Sequence, residues 1–81
     1  MNEKTLDVRG LKCPMPIVKA KKELATLTRD ERLKVVASDR GSVLDFRGWA
    51  KQNPTFQLVE QREEKDEAGR EVFVHLLARR S

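Results

Sequence analysis

The chain has 81 residues, 38% of them hydrophobic and 37% charged, which allows one small core and excludes a multidomain enzyme. Its 17 Lys and Arg against 13 Asp and Glu leave a net charge of +4, mixed in sign and interleaved with periodic apolar residues, so the composition excludes a disordered polyelectrolyte. With one cysteine and one histidine there is no internal disulfide and no Cys-rich zinc site. No window approaches the roughly 18 apolar residues of a membrane span. The N-terminus lacks the apolar region of a secretory signal, and the expected setting is a reducing cytoplasm. All the excess positive charge falls in residues 1–40, the half that carries the cysteine.

Thr5-Leu6-Asp7-Val8 alternates as a short strand does. Arg9 through Cys13 reads as a loop, and Pro14 suits a first helical position because its missing N–H is not needed there. Ile17, Ala20, Leu24 and Leu27 recur at helical spacing, which predicts a first helix over 14–27. Leu33 through Ala37 is a β-branched second strand, and Ser38-Asp39-Arg40-Gly41 is turn chemistry. Ser42 with Asp45 resembles a capping box, opening a second helix striped by Val43, Phe46 and Ala50 and ended by Asn53-Pro54. Phe56 begins a third strand that turns strongly polar through Glu64. Asp66-Glu67-Ala68-Gly69 is a hairpin turn, and Val72 through Ala78 alternates as a fourth strand. The closing Arg79-Arg80-Ser81 is expected to fray.

The order is βαβαββ within a single domain spanning 1–81. Two amphipathic helices cover one face of a four-stranded mixed sheet, a two-layer α/β (α+β) sandwich. Strands one and two are expected to be parallel, joined by a right-handed crossover. The loops 9–14 and 38–42 then emerge at one sheet edge, where open α/β sheets bind ligands.

Cys13 falls at that edge, at the expected N-cap of the first helix. Backbone N–H groups and the helix dipole favour a thiolate there. Pro16, at the expected third helical position, removes one of the two usual donors and leaves the Met15 N–H. Lys12, Arg9 and Lys19 add positive charge. A lone cysteine is often only a small buried hydrophobe, and position alone leaves both readings open. A dithiol switch lacks its second cysteine. A Cys–His hydrolase would need His75, which sits mid-strand and reads as an ordinary strand histidine. A carrier thiol needs neither base nor cofactor nor metal.

The segment Leu6-Asp7-Val8-Arg9-Gly10-Leu11-Lys12-Cys13-Pro14-Met15-Pro16, followed by Lys19, Lys21, Lys22 and Leu24, resembles the TusA-like (SirA/YeeD-type) sulfur-carrier family, marked by an LDxRGLxCPxP segment opening its first helix. The similarity continues through Ser38-Asp39, Ser42, Asp45 and Trp49. It departs at Arg40 and at Phe46-Arg47, where the family often has proline. The resemblance implies that Cys13 carries sulfane sulfur as a persulfide. A donor such as a cysteine desulfurase or a rhodanese-like protein loads it, and an acceptor protein takes it away. Gly10, Lys12, Pro14 and Pro16 form the supporting motif, and no cofactor is implied.

Arg9, Lys19, Lys22 and Arg40 are candidates for docking a partner, with a solvated helix face as the plain alternative for the lysines. The acidic run from Glu60 to Glu67 reads as a solvated hairpin. The chain is expected to act as a monomer away from membranes. A small basic nucleic-acid-binding module is the rival class, disfavoured because only Phe56 and Phe73 place aromatic rings in strands. A thiol-based regulatory adaptor is the other alternative.

Overall fold

The computed structural model describes residues 2–12 and 14–80. The elements run β1 (Asn2–Val8), α1 (Met15–Leu24), β2 (Glu31–Ala37), α2 (Ser42–Gln52), β3 (Phe56–Lys65) and β4 (Glu71–Arg79). The sheet order is β1-β2-β4-β3. β1 and β2 are parallel, and β4 is antiparallel to both of its neighbours. β2 and β3 therefore point the same way with β4 between them. The expected βαβαββ sandwich is what forms.

One core joins the sheet to both helices. Val8, Leu33, Val35, Ala37 and Leu77 meet Ala20 and Leu24 of α1, Leu27 just beyond it, and Phe46 of α2, all at most 2% exposed. α1 lies over β1 and β2, and α2 over β3 and β4. Burying such apolar side chains is the main favourable term for a domain of this size. The opposite sheet face has no helix. Val72, Val74 and Leu76 of β4 are nonetheless buried there, between charged neighbours on β2 and β3 such as Lys34 and Arg62.

Local structure departs from the sequence expectations at four places. First, α1 opens one residue late and ends at Leu24 rather than at residue 27. Its N-cap is Pro14, with no side-chain cap, and the Met15 N–H expected to serve Cys13 donates to the Lys12 carbonyl at 2.9 Å. Pro16 becomes the second helical residue, and its ring is buried. Its role is packing as well as stiffening. Cys13 lies outside the described residues.

Second, Ser42 is no cap. It is the first residue of α2, after Gly41, and its hydroxyl turns inward to His75. Third, β3 carries a bulge between Leu58 and Glu60. Strict alternation from Leu58 would place Glu60, Arg62 and Glu64 beneath the helices. The extra residue turns them to the open face and brings Gln61 opposite His75. Fourth, Arg79 and Arg80 are not frayed. Arg79 Nε donates to the Leu27 carbonyl at 2.7 Å. Arg80 donates to the carbonyls of Ala50, Asn53 and Phe56, closing the C-terminus of α2. Ser81 lies outside the described residues.

Gly48 sits in the middle of α2, where glycine costs about 1 kcal/mol relative to alanine. A Cβ there would meet nothing within 4 Å, so packing does not require the glycine.

Candidate functional site

Because β1, β2 and β3 run the same way, their carboxyl ends share one edge. Three segments meet there: residues 9–12, residues 38–41 and the turn 66–70. Gly10 has φ +87°, a left-handed conformation that side chains with a Cβ rarely adopt. Its N–H donates to Ser38 Oγ at 2.7 Å, tying the loop after β1 to the loop after β2. Lys12 and Pro14, the neighbours of Cys13 in the chain, are both exposed.

The arginines of this edge are engaged. Arg9 grips Asp7 with Nε and Nη2 at 2.9 and 2.8 Å. Its Nη1 reaches Asp66 at 3.1 Å and Glu67 at 3.0 Å. One guanidinium thus links the end of β1 to the β3–β4 turn, a bidentate use that lysine could not reproduce. The Arg9 bonds hold the Asp7 carboxyl below its usual range. Asp66 is lowered first by the backbone N–H of Arg70, then by that of Ala68. Arg40 pairs with Glu71 at 2.9 Å and lies 5.4 Å from the centre of the Phe73 ring.

The lysines are not engaged. Lys12, Lys19, Lys21 and Lys22 are exposed, and none of the ion pairs among the described residues includes them. Beside them Met15 is 41% and Val18 38% exposed. Residues 15, 18, 19 and 22 share the outward side of α1 by helical spacing. The outcome is a mixed apolar and cationic face that begins two residues after the cysteine. Sequence reasoning named the cations but missed Met15 and Val18. The signal was their position off the buried Ala20-Leu24-Leu27 stripe.

The profile of the family described as sulfurtransferase TusA matches residues 4–74. The chain belongs to the TusA family. A sulfur carrier protein TusA from Allochromatium vinosum is 45% identical over 62 residues, covering 76% of this chain and 80% of that protein. A provisionally named sulfur carrier protein from Halobacterium salinarum is 44% identical over 71 residues, 88% of this chain and 82% of its own length. Another from Bacillus subtilis, YrkI, is 42% identical over 65 residues, 80% of this chain and 85% of its own. No solved structure matches the chain.

The TusA match runs from β1 into β4, so it covers all three segments of the edge. It also covers His75's immediate surroundings, which are structural. His75 is fully buried, and Phe46 stacks on its ring at 4.5 Å. Gln61 Nε2 donates to the Val43 carbonyl at 3.0 Å and lies 3.0 Å from His75 Nδ1. Gln61 Oε1 accepts from Arg47 Nε at 2.7 Å. With both amide N–H groups spoken for, Nδ1 is the acceptor. Nε2 then carries the proton and donates to Ser42 Oγ at 2.9 Å. Burial pushes the His75 pKa down to about 4, so the ring is neutral at pH 7.

Among the described residues no group of three or more His, Cys, Asp and Glu could hold a metal ion. No helix is long and apolar enough to cross a membrane. The strand aromatics do not form a base-stacking platform. Phe73 is buried, and Phe56 stacks on Trp49 with Arg79 over it.

Proposed function

We propose that this TusA-family protein is a sulfur carrier whose Cys13 holds sulfane sulfur as a persulfide. In loading, the Cys13 thiolate attacks the outer sulfur of a persulfide on a donor protein. A new S–S bond forms at Cys13, the donor S–S bond breaks, and the donor leaves as a thiolate. In delivery, an acceptor thiolate attacks the outer sulfur on Cys13, and the Cys13 thiolate leaves. Each step exchanges one S–S bond for another, so no outside oxidant or reductant is needed. The donor fits the class of a cysteine desulfurase or rhodanese-like protein, and the acceptor presents a thiol.

The observation that carries this reading is the outward face of α1. Free lysines and exposed Met15 and Val18 follow the only cysteine in the sequence, beside an edge whose Arg9 and Arg40 are already paired within the fold. The lysines offer charge to an acidic donor or acceptor surface and an electrostatic balance to an anionic persulfide. Arg9, Gly10 and Arg40 shape the edge, and Pro16 anchors the helix start. In this reading the chain works as one domain, as a monomer, without a resident cofactor.

The test is intact-mass analysis after incubation with a cysteine desulfurase and cysteine. The parent protein gains one or more sulfur atoms that a reducing agent removes. Cys13→Ser gains none while keeping the parent's circular dichroism spectrum. Normal loading of the Ser variant would refute the assignment.

A further inference from the structure

A second surface lies along the outer side of α2. α2 starts at the edge just described and runs back to the opposite end of the sheet, where β3 begins. Between its outer side and the start of β3 is an open cleft of about 650 Å³, within the size range of ligand sites. Its lining includes Leu44, Arg47, Gly48, Lys51, Leu58 and Arg80. Leu44 is 71% exposed, the most exposed large apolar residue among those described.

Two features of this cleft are not explained by the fold. Its lining holds three cations and no carboxylate. Arg47 bonds only an amide oxygen and Arg80 only backbone carbonyls. No ion pair among the described residues includes Arg47, Lys51 or Arg80, so no carboxylate offsets the three positive charges that line the cleft. The second feature is Gly48. It weakens α2, yet a side chain there would enter open space. Its effect is to leave bare helix backbone on the cleft wall, where another chain can approach closely.

We propose that the α2–β3 cleft docks an acidic segment of a protein partner that also carries apolar side chains. The carboxylates meet Arg47, Lys51 and Arg80, and an apolar side chain packs between Leu44 and Leu58 over Gly48. A nucleic acid fits less well, because the lining has no aromatic ring on which a base could stack. The lining includes none of residues 9–12, 38–41 or 66–70. The surface neither uses nor requires the cysteine.

The experiment is an amide-resolved NMR titration with a short synthetic peptide alternating glutamate and leucine. Binding should shift the amides of Leu44, Gly48, Lys51 and Leu58 and weaken as salt rises. A matched glutamine–leucine peptide should bind at least roughly tenfold more weakly, as should the Gly48→Glu and Lys51→Glu variants. Gly48→Glu keeps α2 helical, since every residue but proline is a better helix former than glycine. Thermal unfolding checks that both variants remain folded, and Lys51→Glu serves alone if the other does not. The pair Lys19→Glu and Lys22→Glu should leave this binding unchanged. Absence of the amide shifts, equal losses from the α1 and α2 variants, or preferential binding of a single-stranded oligonucleotide at the same amides would each overturn the proposal.

Discussion

α1 and α2 pack on the same sheet face, yet they use their polar residues in opposite ways. α2 turns Ser42 inward to His75, holds Gln61 through Arg47, and has its C-terminus closed by Arg80. α1 has no acidic residue in its first turn, and its three lysines are exposed. The polar groups of α2 are thus largely bonded within the fold, with Lys51 the cleft cation that makes no ion pair or hydrogen bond among the described residues. Those of α1 remain available to another molecule. The same division holds between residue types around the loop after β1, where Arg9 and Arg40 are paired and Lys12, Lys19 and Lys22 are in no ion pair among the described residues. Around that loop free charge therefore sits on flexible, strongly hydrated lysines, which surrender little internal structure when a partner arrives.

Truncation should show this contrast most strongly. Phe46→Ala removes the ring that stacks on His75 and fills the core beneath α2, and it should cost about 3–5 kcal/mol in urea unfolding. Val18→Ala on the outer face of α1 should cost within about 0.5 kcal/mol. Equal losses would erase the distinction.

Acid should act next, and through α2. His75 has a folded pKa of about 4 against an ordinary 6.5. Between these values the unfolded chain binds a proton that the folded chain refuses. The contribution of neutral His75 is therefore complete above pH 6.5, declines as pH falls, and is spent below about 4. The full drop is about 3 kcal/mol. His75→Gln should be less stable at pH 7 but should lack the slope between pH 6.5 and 5. Below that window, protonation of Asp7, Glu31, Asp66 and Glu67, whose pKa values are all lowered, adds losses of its own. An unchanged slope in the variant would mean that His75 is not the titrating group.

The smallest stability effect belongs to charge. Lys19→Glu with Lys22→Glu should change unfolding by no more than about 0.5 kcal/mol while slowing sulfur transfer, most of all at low salt. Arg40→Ala should lose up to about 1 kcal/mol through its exposed pair with Glu71. A transfer rate that falls only when Arg40 is removed would reverse the assignment of docking and scaffold.

The order of elements was legible because it rests on local periodicity, such as the Ala20-Leu24-Leu27 stripe and the alternation along β4. The common edge followed from parallel β1 and β2. What escaped depended on long-range partners. Ser42 and Asp45 have the spacing of a cap, and only the presence of His75 across the core redirects the serine. Gln61 lies in a run of charged residues, and a single bulge decides which face it takes. Arg9 carries positive charge in the sequence but meets Asp66 and Glu67, 57 and 58 residues away. A one-dimensional charge count cannot distinguish such a clamp from a free cation. The helix start moved by one residue because the Lys12 carbonyl competes for the Met15 N–H, a choice propensity does not encode.

The hydrogen bond between His75 and Ser42 also places a clock inside the protein. Its imidazole proton bridges β4 and α2 in a site without solvent, so it can exchange with water only when the helix lifts from the sheet. The lifetime of that one resonance in heavy water would time local opening of α2, separately from global unfolding. A partner that holds the helix against the sheet would lengthen it.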